Sequence, residues 1–229
     1  MKMKRLFVIL AAAAMICACG TPEQTFTKGS QYAKMYEEQP VSILVMPPIN
    51  NTSSVEAKEL LYTSISRPLA EEGYYVISPL LAMDILKTES AYDAELFREG
   101  SLVQFKKFFG ADAVLFTEIN NWSKIGFGIE TDIHMFIRST TTGETLFERN
   151  CELYLDLSTK TSGSSSTLST LLALASSVVK TAVTEPIEAA RMANTFILSD
   201  IPAGKYSDLY GQDQDLTAAA KDISTTVHR

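Results

Sequence analysis

Between Ile129 and Leu157 the chain alternates apolar and polar residues twice in succession, and few folds accommodate that pattern. Ile129, Ile133, Met135 and Ile137 share one register, interrupted by Thr131. Glu130, Asp132, His134 and Arg138 take the other, with Phe136 among them. After Thr142-Gly143-Glu144, a second run places Phe147, Cys151, Leu153, Leu155 and Leu157 in one register against Glu148, Asn150, Glu152, Tyr154 and Asp156. A period of two belongs to a strand with one buried face. Two such runs around a Gly-containing turn predict a long antiparallel hairpin, whose apolar face the rest of the chain must cover.

The preceding segments supply that cover. Val41-Ser42-Ile43-Leu44-Val45-Met46 is nearly continuous in apolar character, as in a strand covered on both faces, and Pro47-Pro48 should end its pairing. Asn50 to Ser54 reads as a polar loop. Leu61, Ile65 and Leu69 recur at helical spacing in a helix predicted from Val55 to Glu72, and Gly73 ends it. Tyr74 to Ile77 is the second strand, followed by Pro79 and a short helix through Leu86. A helix over Ser101–Phe109 carries Leu102, Phe105 and Phe109 on one side and stops at Gly110. Ala113 to Ile119 is the third strand. A Ser/Thr-rich loop (Ser158–Ser169), a helix from Leu171 to Val183 and another from Pro186 to Leu198 complete the core. The expected fold class is mixed α/β (α+β): a small mixed sheet flanked by helices, with the long hairpin as part of the sheet.

The N-terminus is an address. Met1 to Arg5 is basic and Leu6 to Ile16 is apolar, the layout of a signal peptide and too short to span a bilayer. Ile16-Cys17-Ala18-Cys19-Gly20 then fits a bacterial lipobox, so residues 1–18 are expected to be removed and Cys19 to be acylated. Multiple acyl chains on one residue suffice for stable anchoring. No aspartate follows Cys19 to suggest retention at an inner membrane, so the expected location is the outer membrane, with the domain facing the periplasm. Residues 19–40 show no sustained period and read as a flexible tether, 41–213 as one domain, and 214–229 as a polar tail.

Several chemistries are short of parts. The chain has 20 basic and 27 acidic residues, a net charge of −7; loss of Lys2, Lys4 and Arg5 with the leader leaves 17 against 27, or −10. Such a surface repels phosphate backbones, which argues against nucleic-acid binding. Two histidines and three cysteines leave little for multi-ligand metal sites or His-based catalysis, and no metal or cofactor is expected. With Cys17 removed and Cys19 blocked, Cys151 is the lone thiol, in an apolar register that predicts burial and inertness. His134 with Glu130, Asp132 and Arg138 is the one acid–base constellation, and it also suits an ordinary solvated strand face. Gly126-Phe127-Gly128 lacks the Lys-Ser/Thr ending of a phosphate loop and precedes a strand, so it reads as a tight turn. Pro47, Pro48 and Asn50, at the end of the first strand, and Trp122, at the end of the third, are the candidate partner contacts.

The blocks Ile43-Leu44-Val45-Met46-Pro47-Pro48-Ile49-Asn50, Pro68-Leu69-Ala70-Glu71-Glu72-Gly73-Tyr74-Tyr75-Val76 and Gly110-Ala111-Asp112-Ala113-Val114-Leu115 stand in a specific order. With Thr142-Gly143-Glu144 and Ile201-Pro202-Ala203-Gly204-Lys205-Tyr206, they resemble the outer-membrane lipoprotein family of unknown function typified by a genome-derived Neisseria antigen. The layout is also similar, more loosely, to the N-terminal domain of TolB, to CsgG-type secretion lipoproteins and to LpoB-like activators of peptidoglycan synthases. The resemblance implies a non-enzymatic accessory lipoprotein acting beside a CsgG-like partner. The alternatives are a peptidoglycan-synthase regulator of LpoB type and a ligand-binding subunit of a transporter.

Overall fold

A computed structural model describes residues 26–90, 92–157 and 185–228. The leader, Cys17, Cys19, the Ser/Thr-rich loop and the helix expected over Leu171–Val183 all lie outside the described residues. Seven strands form one mixed sheet: β1 (Ser42–Val45), β2 (Ile49–Asn50), β3 (Tyr75–Val76), β4 (Ala113–Ile125), β5 (Gly128–Ser139), β6 (Thr145–Asp156) and β7 (Asp222–His228). Their order is β3-β1-β4-β5-β6-β7, with β2 also on β4. The hairpin has the expected register, with Ile133 opposite Cys151 and Ile129 opposite Leu155. Gly143 turns it at φ +75°, in the left-handed region that suits glycine. Gly126-Phe127-Gly128 is indeed the turn joining β4 to β5.

Helices lie on both faces. On one side, after the short α1 (Lys28–Gln31), α2 (Ala33–Glu38), α3 (Val55–Ser64), α4 (Ser66–Glu71) and α7 (Glu185–Leu198) cover the apolar face of the hairpin. On the other, α5 (Pro79–Thr88), a 3-10 turn (Ala94–Phe97) and α6 (Val103–Phe109) cover only the β1–β4 half. Leu61, Ile65 and Leu69 are all buried, as their spacing requires, but the expected helix is divided at Ile65. Pro68 has no N–H to offer the Ser64 carbonyl. Beside that break, the buried Asn194 amide of α7 donates to the Leu61 carbonyl (3.1 Å) and the Ser64 hydroxyl (2.8 Å).

Three expectations are corrected. The supposed tether is folded from Lys28 to Glu38. Tyr32 and Met35 are buried there; the Tyr32 ring packs on Phe147 at 5.1 Å and its hydroxyl donates to Asp200 (2.8 Å). Two short helical turns carry too little period to register in a sequence pattern. The supposed polar tail contains β7, which pairs in parallel with β6 along its whole length. Finally, pairing resumes after Pro47-Pro48, because β2 returns to β4 with Ile49 opposite Glu118.

The recurring sequence blocks meet one another. Gly204 donates to the Glu72 carbonyl (2.8 Å), Tyr206 to that of Gly73 (2.9 Å), and the Tyr74 hydroxyl to that of Pro202 (2.6 Å). A Cβ on Gly204 would lie 2.4 Å from the Gly73 oxygen, so the two backbones touch in a way only glycine permits. The Asp112 carboxylate accepts from the backbone N–H groups of Val41 and Ser42 (both 3.1 Å) and from the Ser42 hydroxyl (3.0 Å), tying the start of β1 to the start of β4.

Candidate functional site

The residues singled out from sequence do not converge on one surface. Pro47 and Pro48 are buried. Asn50 folds its own loop: its amide donates to the Ser54 carbonyl (2.7 Å), and its oxygen accepts from the Thr52 N–H (3.1 Å) and hydroxyl (2.8 Å). Trp122 is buried in the main core. A register shift between Ile119 and Asn121 inserts an extra residue into β4, which turns position 122 from the outer face to the inner one. The partner-contact reading is therefore corrected for Pro47, Pro48 and Trp122, and Asn50 is occupied within its own loop. Cys19 lies outside the described residues.

Cys151 is fully buried in the inner register, and burial pushes its thiol pKa up to about 12, the opposite of an activated nucleophile. His134 sits on the outer face between two carboxylates. Its Nδ1 is 3.3 Å from Glu118 and its Nε2 3.1 Å from Glu148, and the Arg98 guanidinium meets Glu118 at 2.9 Å. Arg98, Glu118, His134 and Glu148 thus form a chain of polar contacts that fastens the Arg98 loop to the sheet. Arg138, on the same face, donates to the carbonyls of Arg98 (2.6 Å), Gly100 (3.2 Å) and Gly143 (2.8 Å), again as a fastener.

Sequence reasoning missed Arg149, which stands in the inner register between Phe147 and Cys151. It is buried, and its guanidinium donates to the carbonyls of Phe196 (2.8 Å) and Ile197 (2.7 Å) in the last turn of α7 and to that of Ala220 (2.8 Å). The last carbonyls of a helix lack intrahelical partners and carry the negative end of its dipole, which is what a cation there satisfies. The signal was a charged residue in an otherwise apolar register.

The feature with the character of a recognition site is a groove between α5 and α6, of about 320 Å³. Ile85 and Leu86 form one wall, and Phe97, Phe105, Phe108 and Phe109 the other, with Glu89, Ser90 and Gln104 as polar neighbours. Phe105 and Leu86 are core residues, whereas Phe108 is 65 % exposed. Leu80 and Leu81 on α5, Leu96 in the 3-10 turn and Val103 on α6 are exposed as well. Exposed apolar side chains on all three elements that cover this half of the sheet exceed the lone surface leucine of an ordinary domain and make it the candidate interaction surface. Beyond the groove, the outer face of β5–β7 is open and acidic, with Asp132 directly opposite Glu152 and with Glu130, Glu148 and Asp222 nearby. Among the described residues, no helix is long and apolar enough to cross a membrane, and no group of three or more His, Cys, Asp or Glu residues could hold a metal ion.

Comparison with known proteins agrees with the block order. The family model "Putative lipoprotein GNA1162-like" matches residues 30–211. "Putative lipoprotein NMB1124/NMB1162" of Neisseria meningitidis serogroup B is 29 % identical over 120 residues, which are 52 % of this chain and 54 % of that protein. The chain thus spans about half the length of that curated relative. The crystal structure of lipoprotein GNA1162 from Neisseria meningitidis is similar at a TM-score of 0.47 and 24 % identity, covering 59 % of this chain and 94 % of that one. The PelC dodecamer from Paraburkholderia phytofirmans is similar at a TM-score of 0.40 and 12 % identity, covering 70 % of this chain and 88 % of that one.

Proposed function

This chain belongs to the GNA1162-like lipoprotein family, and from that membership we propose that it is an accessory lipoprotein, acylated on Cys19, that docks onto envelope assembly machinery. In this reading the anchor sits in the outer membrane, the domain faces the periplasm, and no bond-making chemistry is performed. The lipid confines the domain to a thin layer and raises its effective concentration for a membrane-bound partner. The partner proposed is a CsgG-like lipoprotein of a secretion complex.

The observation that carries the reading is the apolar surface around the α5–α6 groove. Phe108, Leu81 and Val103 are held exposed by helices whose other sides are in the core. Leaving such side chains in water is unfavourable, and burying each against a partner returns about 1.5–3 kcal/mol. A protein partner presenting apolar side chains fits this groove, because its polar neighbours are few, one wall is aliphatic and the other aromatic.

The test is in-cell crosslinking of the tagged full-length chain, followed by detergent extraction and identification of what co-purifies. Recovery of a CsgG-like lipoprotein with the native chain, and its loss with Phe108→Glu or Cys19→Ala, is the expected outcome. Recovery of a peptidoglycan synthase in its place would overturn the secretion reading. If the Cys19→Ala chain stays in the membrane fraction, the anchor is not at that residue.

A further inference from the structure

The described fold begins much closer to Cys19 than the sequence suggested, and this limits how far its starting corner can lie from an anchor at that residue. Residues 26–31 are not leash. Lys28 N–H donates to the Leu216 carbonyl (2.8 Å), Gly29 N–H to Gln214 (2.9 Å), and Ala218 N–H to Phe26 (2.8 Å). The Lys28 ammonium reaches the Ile201 carbonyl (3.2 Å) and lies 3.6 Å from the Asp213 carboxylate. Phe26, the first described residue, is therefore stitched to the segment around Leu216. Seven Cα steps separate it from Cys19, a reach of at most about 25 Å even when fully extended. A domain of this size has a radius of gyration of roughly 16 Å, so the starting corner stays within about one domain diameter of Cys19.

That corner carries exposed apolar side chains among the charged Lys205, Asp208 and Asp215. Phe26, which pairs with Ala218, is 53 % exposed, and Leu216, which pairs with Lys28 in the same short ladder, is 51 % exposed. Tyr206 and Leu209 are exposed in the same segment. The opposite side of the sheet has a different character, bearing the α5–α6 groove and the open acidic face of β5–β7. Glu130, Asp132, Glu148, Glu152 and Asp222 crowd that face, against Asp208 and Asp215 at the corner, so anionic headgroups repel it the more strongly.

We propose that the surface formed by Phe26 and residues 206–218 rests on the bilayer, with Phe26 and Leu216 in its headgroup boundary. The groove and the acidic half of the sheet are thereby presented away from the membrane. The inference rests on acylation of Cys19 and adds to it an orientation: one face of the sheet belongs to the lipid, the other to the partner. Insertion of two large apolar side chains is a weak contact by itself, and the covalent anchor makes it persistent by keeping the surface within reach.

The experiment uses the full-length lipidated chain in vesicles of phosphatidylethanolamine and phosphatidylglycerol, with a fluorophore on Phe26→Cys, Leu216→Cys or Leu81→Cys in separate proteins. The native thiols do not compete, since Cys19 is a thioether when acylated and Cys151 is buried. Each variant is first checked for an unchanged thermal transition. Flotation with the vesicles tests the anchor, and quenching by a headgroup-region nitroxide lipid tests the orientation. The expected result is flotation, with quenching at positions 26 and 216 at least about threefold that at 81, because interfacial side chains sit roughly 5–10 Å into the boundary. Flotation with equal quenching at all three positions, or stronger quenching at 81, overturns the orientation and leaves the anchor standing. Failure of the native-leader chain to float removes the anchor, and the orientation falls with it.

Discussion

The two faces of the sheet solve opposite problems with the same strands. On the hairpin's apolar face, four helices and the segment after α7 cover the strands, and several buried polar groups are given partners. Arg149 serves three carbonyls, Asn194 bridges the division between α3 and α4, and Asp200 holds both the Tyr32 hydroxyl and the Ala219 N–H. On the other face only the β1–β4 half is covered, aromatic rings remain in water, and carboxylates line the rest. Buried apolar packing is concentrated on the first face, and the proposed recognition surface lies on the second. A substitution should therefore lower the melting temperature or disturb an interaction according to the face it sits on, seldom both.

The largest effect should come from the covered face. Arg149→Ala leaves the carbonyls of Phe196, Ile197 and Ala220 buried without donors, and each such loss costs about 1–3 kcal/mol, for a total near 3–5 kcal/mol. In a domain of this size that lowers the melting temperature by roughly 10 °C, readable by circular dichroism. A fall of a degree or two would mean that the carbonyls find water and that the face is less sealed than described. Gly204→Ala follows at about 2–4 kcal/mol, because its new Cβ would sit 2.4 Å from the Gly73 oxygen and must push two backbone segments apart. A control at Gly211, where φ is +70° but nothing stands within 4 Å of a new Cβ, isolates the backbone conformation from the clash and should cost only about 1 kcal/mol.

How much of this was visible in the sequence follows from the range of each signal. The hairpin register, the Leu61–Ile65–Leu69 stripe and the turns at Gly73, Gly110 and Gly143 are local patterns, and the structure reproduces them. The same holds for the burial of Cys151. Trp122 read equally well as a partner contact or a cap on the core; what decides for the core is a single inserted residue that reverses the face of every position after it, and no local pattern announces that insertion. α1, α2 and β7 were missed because their stability comes from distant partners: Tyr32 from Phe147 and Asp200, and β7 from β6. The groove had a faint signal. Phe108 stands off the Leu102–Phe105–Phe109 stripe of its helix, and an aromatic on the solvent side of an amphipathic helix is a departure to be explained. Asn50 and the two prolines, by contrast, look like site residues only until their hydrogen bonds and burial are known.

A smaller effect is expected at the seam between the two faces, where pH separates it from simple packing loss. Burial alone would raise the Asp112 pKa, but the N–H groups of Ser42 and Val41, the Ser42 hydroxyl and the nearby Lys106 outweigh it and hold the carboxyl below its ordinary value. A carboxylate with a depressed folded pKa stabilises the fold above its unfolded pKa, near 3.9, and loses that contribution as pH falls through the lower folded value. Asp112→Asn should therefore cost about 1 kcal/mol at neutral pH, a modest figure because the side chain is partly exposed. The gap in urea midpoint between the two proteins should narrow once the pH drops below about 4. A gap that stays constant down to pH 2 would assign the loss to geometry and not to charge.

The smallest stability effect is expected at Phe108, and its smallness is the sharpest test of the division of labour. The ring is 65 % exposed on the wall of the groove, so Phe108→Glu removes little buried area and places the new carboxylate in water. Stability should stay within about 0.5 kcal/mol of the parent, as for surface changes that touch no special feature. Partner capture should fall instead, because a charge in an aromatic groove must be desolvated before any apolar side chain can enter. If the variant melts several degrees lower, the ring is a structural element of the α5–α6 pair and the groove is core left incompletely closed. If both stability and capture are unchanged, recognition lies elsewhere on the outer face, and Asp132 and Glu152, like charges directly opposite each other on open strands, become the residues to reverse. Like charges so placed are destabilising, so a lysine at either position should raise stability slightly while testing whether a cationic partner uses that surface.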